Sequence, residues 1–249
     1  MGFYGSMFTI VLVAAGAAKA TPLTKIHSHN DYNQKHPLDD ALAENLYSVE
    51  ADVWLKDGEI RISNFGIFFK GSLENLYLKP LQKIIDKRHS VYGDSLPFYL
   101  WIDLKGSNKE LVAVLNKVLN RYKMFTVFTD DKIIQRPVIA VLTGNDDMKK
   151  AFVHDFKTRK GIRDSNDIEL NDPMGDNRWG WYALNWNIVH GSSEKLQSLV
   201  NLAHSKNRKI RFWNMPDEKR SWALALKSGV DQISTDKLHE LHEYILSQP

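Results

Sequence analysis

The sequence predicts an α/β fold, a single-domain (β/α)8 or TIM barrel. Three observations predict it. Strand-like and helix-like segments alternate from about residue 25 to the C-terminal end, the pattern of parallel strands joined by right-handed helical crossovers. Some eight strand segments fall within 249 residues, 43% of them hydrophobic, which suits one closed barrel better than an open doubly wound sheet. No GxGxxG follows a strand segment, and neither a Pro/Ser-rich linker nor a solenoid-length repeat divides the chain.

Lys25–Asn30 (KIHSHN) reads as a first short strand. Pro37–Leu46 reads as a helix, with Asp39, Asp40 and Glu44 in the early turns, where a carboxylate faces the positive end of the helix dipole. Ser48–Leu55 (SVEADVWL) is a strand, and Asp57-Gly58 turns it back into Glu59–Ser63. Ser72 is placed to cap a helix running toward Lys87, which Pro80, lacking an N–H, splits or kinks. Phe98–Lys105 (FYLWIDLK) follows as a strand and Asn108–Tyr122 as a strongly periodic helix. Further strands are expected at Val138–Thr143, Trp181–Trp186, Lys209–Trp213 and Gln232–Ser234. Helices are expected at Asp146–Val153, Ser193–Ser205, Glu218–Ser228 and Lys237–Leu246. Lys157–Gly180 is long, charged and rich in Asn, Asp and Gly, and reads as a surface loop or a lid over a barrel mouth.

The first twenty residues stand apart. Met7–Ala18 form an apolar run too short to span a bilayer, followed by the small-x-small pattern Ala18-Lys19-Ala20. Residues 1–20 are therefore expected to be a signal peptide, with no Lys or Arg ahead of the apolar run, and 21–249 an exported (periplasmic or secreted) domain. With no cysteine, that domain has neither disulfides nor thiolate metal sites. Thirty-three Lys and Arg against 30 Asp and Glu leave no basic stripe interleaved with aromatics, so no nucleic-acid partner is expected. A monomer is expected, touching a membrane surface at most transiently through aromatics such as Phe65, Phe68 and Phe69.

Chemistry in such a barrel sits at the C-terminal ends of the strands. His27 and His29 share a face of the first strand, with Asn30 and Asp31 just beyond. Glu50 and Asp52 share a face of the second, Asp103 and Lys105 one of FYLWIDLK, and Arg211 lies in KIRFW. Two carboxylates held two residues apart on one strand repel and lose hydration. They persist facing water, sharing a proton, ion-paired to a lysine, or holding a cation. Oxygen-only ligands suit Mg²⁺ or Ca²⁺, an imidazole exchanges protons near neutrality, and Lys105 and Arg211 are suited to phosphate charge. His239 and His242, three apart on the last helix, read as a solvated face.

The blocks HSHNDY, PLDDAL, SVEADVWLKDG, SLENLYLKPL, RFWNMPD and GVDQISTD, in this order, resemble a secreted branch of the phosphatidylinositol-specific phospholipase C / glycerophosphodiester phosphodiesterase superfamily over roughly residues 25–240. The resemblance implies a TIM barrel that hydrolyses phosphodiesters, glycerophosphodiester or phosphoinositide-like, by acid/base catalysis with one divalent cation, Mg²⁺ or Ca²⁺. It implies Glu50, Asp52 and Asp103 as metal carboxylates and Lys105 facing the phosphate. The His-Asn step implies His29 as acid/base with Asn30 touching the metal; a glycerophosphodiesterase-type alignment chooses His27. One departure stands out. Ser63-Asn64-Phe65 occupies the place of the superfamily's second catalytic histidine, and no His occurs between His36 and His89. Losing one of the two proton-transfer groups costs on the order of 10²–10⁴ in rate. A catalytically impaired barrel that binds a phosphorylated ligand or a cation is the alternative reading.

Overall fold

Strand residues that alternate between two buried faces close into a wall with helices outside and a packed interior. In the computed structural model, which describes residues 23–168 and 176–248, eight parallel strands form a closed barrel. They are β1 (Ile26–Ser28), β2 (Ser48–Lys56), β3 (Phe98–Leu104), β4 (Val138–Gly144), β5 (Ile162–Ser165), β6 (Trp179–Asn185), β7 (Lys209–Trp213) and β8 (Gln232–Thr235). The ring closes at β1, where Ile26 lies opposite Ile233 of β8 and Ser28 opposite Val49 of β2. Seven helices accompany the strands among the described residues: α1 (Asp39–Ala43), α2 (Lys79–Arg88), α3 (Glu110–Asn120), α4 (Asp146–Asp155), α5 (Ser193–Ser205), α6 (Lys219–Lys227) and α7 (Leu238–Leu246).

The predicted barrel is borne out, with one strand exchanged. Glu59–Ile62 is not a barrel strand: it pairs antiparallel to β2, Val53 opposite Ile62 and Lys56 opposite Glu59, so the pair projects from the mouth. The eighth member is β5, inside the segment read as a loop. The signal-peptide expectation lies outside the described residues, as do positions 169–175 of the expected lid. No helix among the described residues is long and apolar enough to cross a membrane.

Pro80 acts as expected. It cannot supply the N–H that would bond the carbonyl of Leu76, and the chain enters α2 through a wide π-helical turn, Glu74–Leu78. Ser72 Oγ accepts from the Asn75 N–H at 3.2 Å just ahead of that turn. The helices pack on the outer faces of the strands through residues such as Val49, Leu100, Leu142 and Ile210, all fully buried.

Inside the barrel, Tyr99, Trp101, Val141, Ile162, Trp181 and Ala183 form an aromatic-rich floor. Trp181 stands edge-on to both Tyr99 and Trp101, with ring centres 5.4 and 5.2 Å apart. Such a floor keeps water from the layer above it, which is charged.

Candidate active site

Register builds that charged layer. β2 and β3 pair Glu50 with Trp101 and Asp52 with Asp103, and β3 pairs Asp103 with Thr143 of β4. Paired residues point to the same side of a sheet, so the three carboxylates face inward at the C-terminal ends of adjacent strands. One oxygen from each of Glu50, Asp52 and Asp103 lies within 4.8 Å of the others. Gly144, at φ +85°, makes room for them, because a Cβ there would stand 2.0 Å from Asp103 Oδ1.

The three carboxylates have different partners. Glu50 Oε2 accepts from His27 Nε2 at 2.7 Å and from Arg211 at 3.1 Å. Burial disfavours its charge, but the Arg211 guanidinium and His27 outweigh that and hold Glu50 well below the usual carboxylate range. Arg211 lies flat on the Trp101 face, 3.9 Å from the ring centre. Asp52 is 1% exposed, and burial together with the charges of Asp103 and Glu50 pushes its pKa up to about 7. Burial and Glu50 raise Asp103 as well. Lys105 Nζ donates to Asp103 Oδ2 at 2.7 Å and lies 3.1 Å from Asp52 Oδ2. Burial opposes its charge, yet the two carboxylates push its pKa up to about 12.

Among the described residues, neither oxygen of Asp52 nor Oδ1 of Asp103 receives a well-aligned hydrogen bond. Buried carboxylate oxygens left this way are costly unless something positive meets them. A hard divalent cation fits the all-oxygen donor set.

The two histidines of β1 occupy different surroundings. His27 is fully buried. The Ser48 hydroxyl donates to its Nδ1 at 2.7 Å while its Nε2–H donates to Glu50, a single neutral tautomer, and burial lowers its pKa to about 4. His29 is partly open to solvent, and its Nδ1 donates to Asp236 at 3.0 Å. Burial opposes its charged form, but the Asp236 hydrogen bond and the charges of Glu50 and Asp236 prevail and raise its pKa.

The HSHNDY block is held from below by Asp31, which accepts from Ser28, from the Leu38 N–H and from Tyr77 at 2.6–2.9 Å. Asn30 adopts a left-handed φ of +46°, and Tyr32 donates to its Oδ1 at 3.0 Å. That turn puts Asn30 Nδ2 3.2 Å from His29 Nε2.

Every predicted site residue thus lies on the barrel interior or at its mouth, on β1, β2, β3 and β7 or just beyond their ends. Three residues that sequence reasoning left out belong with them: Asp236, Ser48 and Trp101. Asp236 follows β8 directly, and the strand-end rule applied to GVDQISTD would have found it. At Ser63-Asn64-Phe65, where the resemblance led one to expect a second histidine, Ser63 is buried, its N–H donating to the Asp52 carbonyl at 3.2 Å, and Asn64 is exposed. His239 and His242 lie on α7, both bound to Glu44 just past the end of α1 rather than at the mouth.

A (β/α)8 barrel of this kind has the fold of solved glycerophosphodiester phosphodiesterases. A solved glycerophosphodiester phosphodiesterase from Agrobacterium tumefaciens str. C58 superposes with a TM-score of 0.54, covering 90% of this chain and 100% of that one at 13% identity, a likeness of fold. The sequence model of the AIM6-like phosphodiesterase domain matches residues 17–96. Altered inheritance of mitochondria protein 6 of Saccharomyces cerevisiae (strain ATCC 204508 / S288c) is 32% identical over 271 residues, 89% of this chain and 67% of that protein. The Eremothecium gossypii protein of the same name is 25% identical over 89% of this chain and 69% of its own length. For the Kluyveromyces lactis protein, 31% identical, the match spans 61% of this chain and 44% of the relative. The chain belongs to this family, that of the AIM6-like phosphodiesterase domain.

Proposed function

We propose that the chain is a metal-dependent phosphodiester hydrolase acting on a glycerophosphodiester or phosphoinositide-like substrate. The observation that carries this reading is the trio Glu50, Asp52 and Asp103 gathered at the mouth, in which neither oxygen of Asp52 nor Oδ1 of Asp103 receives a well-aligned hydrogen bond. Those three, with Asn30 at the rim, would hold one Mg²⁺ or Ca²⁺. Bound there, the cation supplies charge neutralisation to a phosphate oxygen.

The chain's own residues divide the remaining work. His29 Nδ1–H is held by Asp236, so the lone pair sits on Nε2, which faces the Asn30 amide at 3.2 Å and takes the proton from an attacking water once substrate displaces that contact. As the water oxygen bonds to phosphorus and the phosphorus–oxygen ester bond breaks, the imidazolium so formed would return its proton to the departing alkoxide. Lys105 and Arg211 place positive charge beside the phosphate. His27, with both nitrogens engaged, keeps Glu50 oriented.

One observation favours a second reading, a barrel that binds a phosphorylated ligand or cation without turning it over. Ser63 and Asn64 stand where a second imidazole would, and His27 is locked below the mouth. Phosphodiester hydrolysis by the full chain, with Mg²⁺, Ca²⁺ or chelator and alongside His29→Ala, separates the two. Hydrolysis predicts cation-dependent turnover that falls on the order of 10²–10⁴ in the variant. A bound cation with no turnover of any diester would select the second reading.

A further inference from the structure

We infer that the loop Ser63–Lys70 is a lipid-contacting element that seats the mouth on a phospholipid surface. The inference rests on the hydrolase reading only for the choice of lipid. After Glu59–Ile62 the chain reads SNFGIFFK, and Phe65, Ile67 and Phe68 are 76%, 70% and 86% exposed. They are three of the seven large apolar side chains that stand open among the described residues, gathered within four positions.

Their exposure is built in. The Ser63 N–H is tied to the Asp52 carbonyl and the Lys70 N–H to the Ile62 carbonyl at 2.9 Å, so both ends of the loop are fixed beside the acidic cluster. Gly66, at φ +72°, donates to Ser63 Oγ at 3.0 Å and lies against the Trp54 indole, where a Cβ would be 3.1 Å from the ring. Trp54 in turn donates to the Ser63 carbonyl at 2.8 Å. The left-handed turn spends the available apolar surface on Gly66 and sends the flanking Phe65, Ile67 and Phe68 outward. Phe69 folds back under Arg61, 5.9 Å from the guanidinium carbon.

The occupant follows from size and surroundings. Three such side chains offer roughly 500 Å², short of the ~800 Å² per partner that a stable protein interface buries. A bilayer needs no such area, because apolar side chains enter it one at a time while nearby cations meet lipid phosphates. Lys70 flanks the apolar group, and on the same hairpin Arg61 is paired with Glu59 at 3.1 Å and Lys56 with Asp57 at 3.7 Å, which leaves the charge of Lys70 in excess there. The loop's ends are hydrogen-bonded at the level of Asp52, so a lipid phosphodiester at that surface would lie beside the candidate site. The substrate class that fits is a phosphodiester still carried by a membrane lipid.

The chain has no cysteine, so Phe68→Cys in the full chain carries one solvatochromic fluorophore that reports on this loop alone. Ile133→Cys, exposed on the hairpin at the N-terminal end of the barrel, is the control. Vesicles of phosphatidylcholine, with and without phosphatidylinositol, should shift the emission at position 68 to the blue and leave position 133 unmoved. No shift at 68 with either vesicle overturns the inference, whatever the hydrolysis assay gives. A shift that grows with protein concentration in the absence of vesicles assigns the loop to a second copy and overturns it too. In an active preparation, Phe65→Ser/Ile67→Ser/Phe68→Ser should lower turnover of vesicle-borne diester roughly tenfold, about 1.4 kcal/mol in the equilibrium it reads, and leave a water-soluble diester unaffected.

Discussion

Asp236 and His29 lie 207 positions apart in the chain and 3.0 Å apart in space, and in the proposed chemistry that contact decides which imidazole nitrogen carries the proton and which accepts one. A carboxylate accepting from Nδ1–H fixes the tautomer and steadies the imidazolium formed during proton transfer, as the third member of a catalytic triad does. Asp236 itself is anchored, its N–H donating to Asp217 Oδ2 at 2.9 Å, while Asp217 Oδ1 accepts from Thr235. Asp236→Asn keeps the shape and can present its amide to the ring in the wrong sense. The expected outcome is a kcat lowered by about tenfold to a hundredfold with KM nearly unchanged, since Asp236 does not meet the phosphate. Steady-state kinetics on a soluble diester read this directly. A variant in which KM rises and kcat holds would mean that Asp236 shapes binding and leaves proton transfer alone.

The elements show which features a sequence reveals. Strands that are continuous apolar runs, such as FYLWIDLK, and helices with a clear period, such as Ser193–Ser205, are legible within a residue or two. β5 is not, because IRDS carries its burial through an ion pair: Asp164 is fully buried against Lys149 of α4 at 2.6 Å. Counting the hairpin arm Glu59–Ser63 among the strand segments hid the omission, since the count still came to eight. The acidic residues were legible because period-two spacing puts Glu50 with Asp52 and Asp103 with Lys105. Asp236 stands where the strand-end rule points, but its pairing with His29 was not legible, because only closure of β8 against β1 brings the two together. Gly144 carries an element-scale prediction. Its φ of +85° and a Cβ 2.7 Å from the Leu104 carbonyl make Gly144→Ala strained at the end of β4, and the same methyl would displace Asp103. About 2 kcal/mol of lost stability corresponds to a melting point lower by roughly 4–8 °C in a domain this size. Cation affinity should fall at least tenfold by calorimetry; unchanged affinity in a well-folded variant would remove Asp103 from the ligand set.

Taken as a whole molecule, the barrel concentrates its unrelieved cost at one end. An aromatic floor and a greasy outer wall stabilise it everywhere else, while the mouth holds Asp52 1% exposed beside two further carboxylates, Glu50 offset by Arg211 and the two aspartates sharing Lys105. Sites kept for function are commonly destabilising in this way. With cation removed by chelator, Asp52→Asn should therefore melt higher than the natural chain, because it deletes a buried charge and its repulsion while keeping the shape. The sign with pH is fixed. The folded-state pKa of Asp52, about 7, lies above its ordinary value of 3.8, so the folded protein holds a proton that the unfolded chain has released, and stability falls as pH rises between those values. The advantage of Asn is thus fully present above pH 7 and fades toward pH 4. Adding Mg²⁺ or Ca²⁺ reverses the order. At a hundred times its dissociation constant a bound cation adds about 2.7 kcal/mol, so the natural chain should gain roughly 5–10 °C and the variant almost none. Thermal melts of both chains at pH 8, with chelator and with each cation, read both effects. A natural chain that melts higher than Asp52→Asn under chelator, or a cation shift equal in the two, would mean that Lys105 and Arg211 between them satisfy the trio and that no cation belongs there.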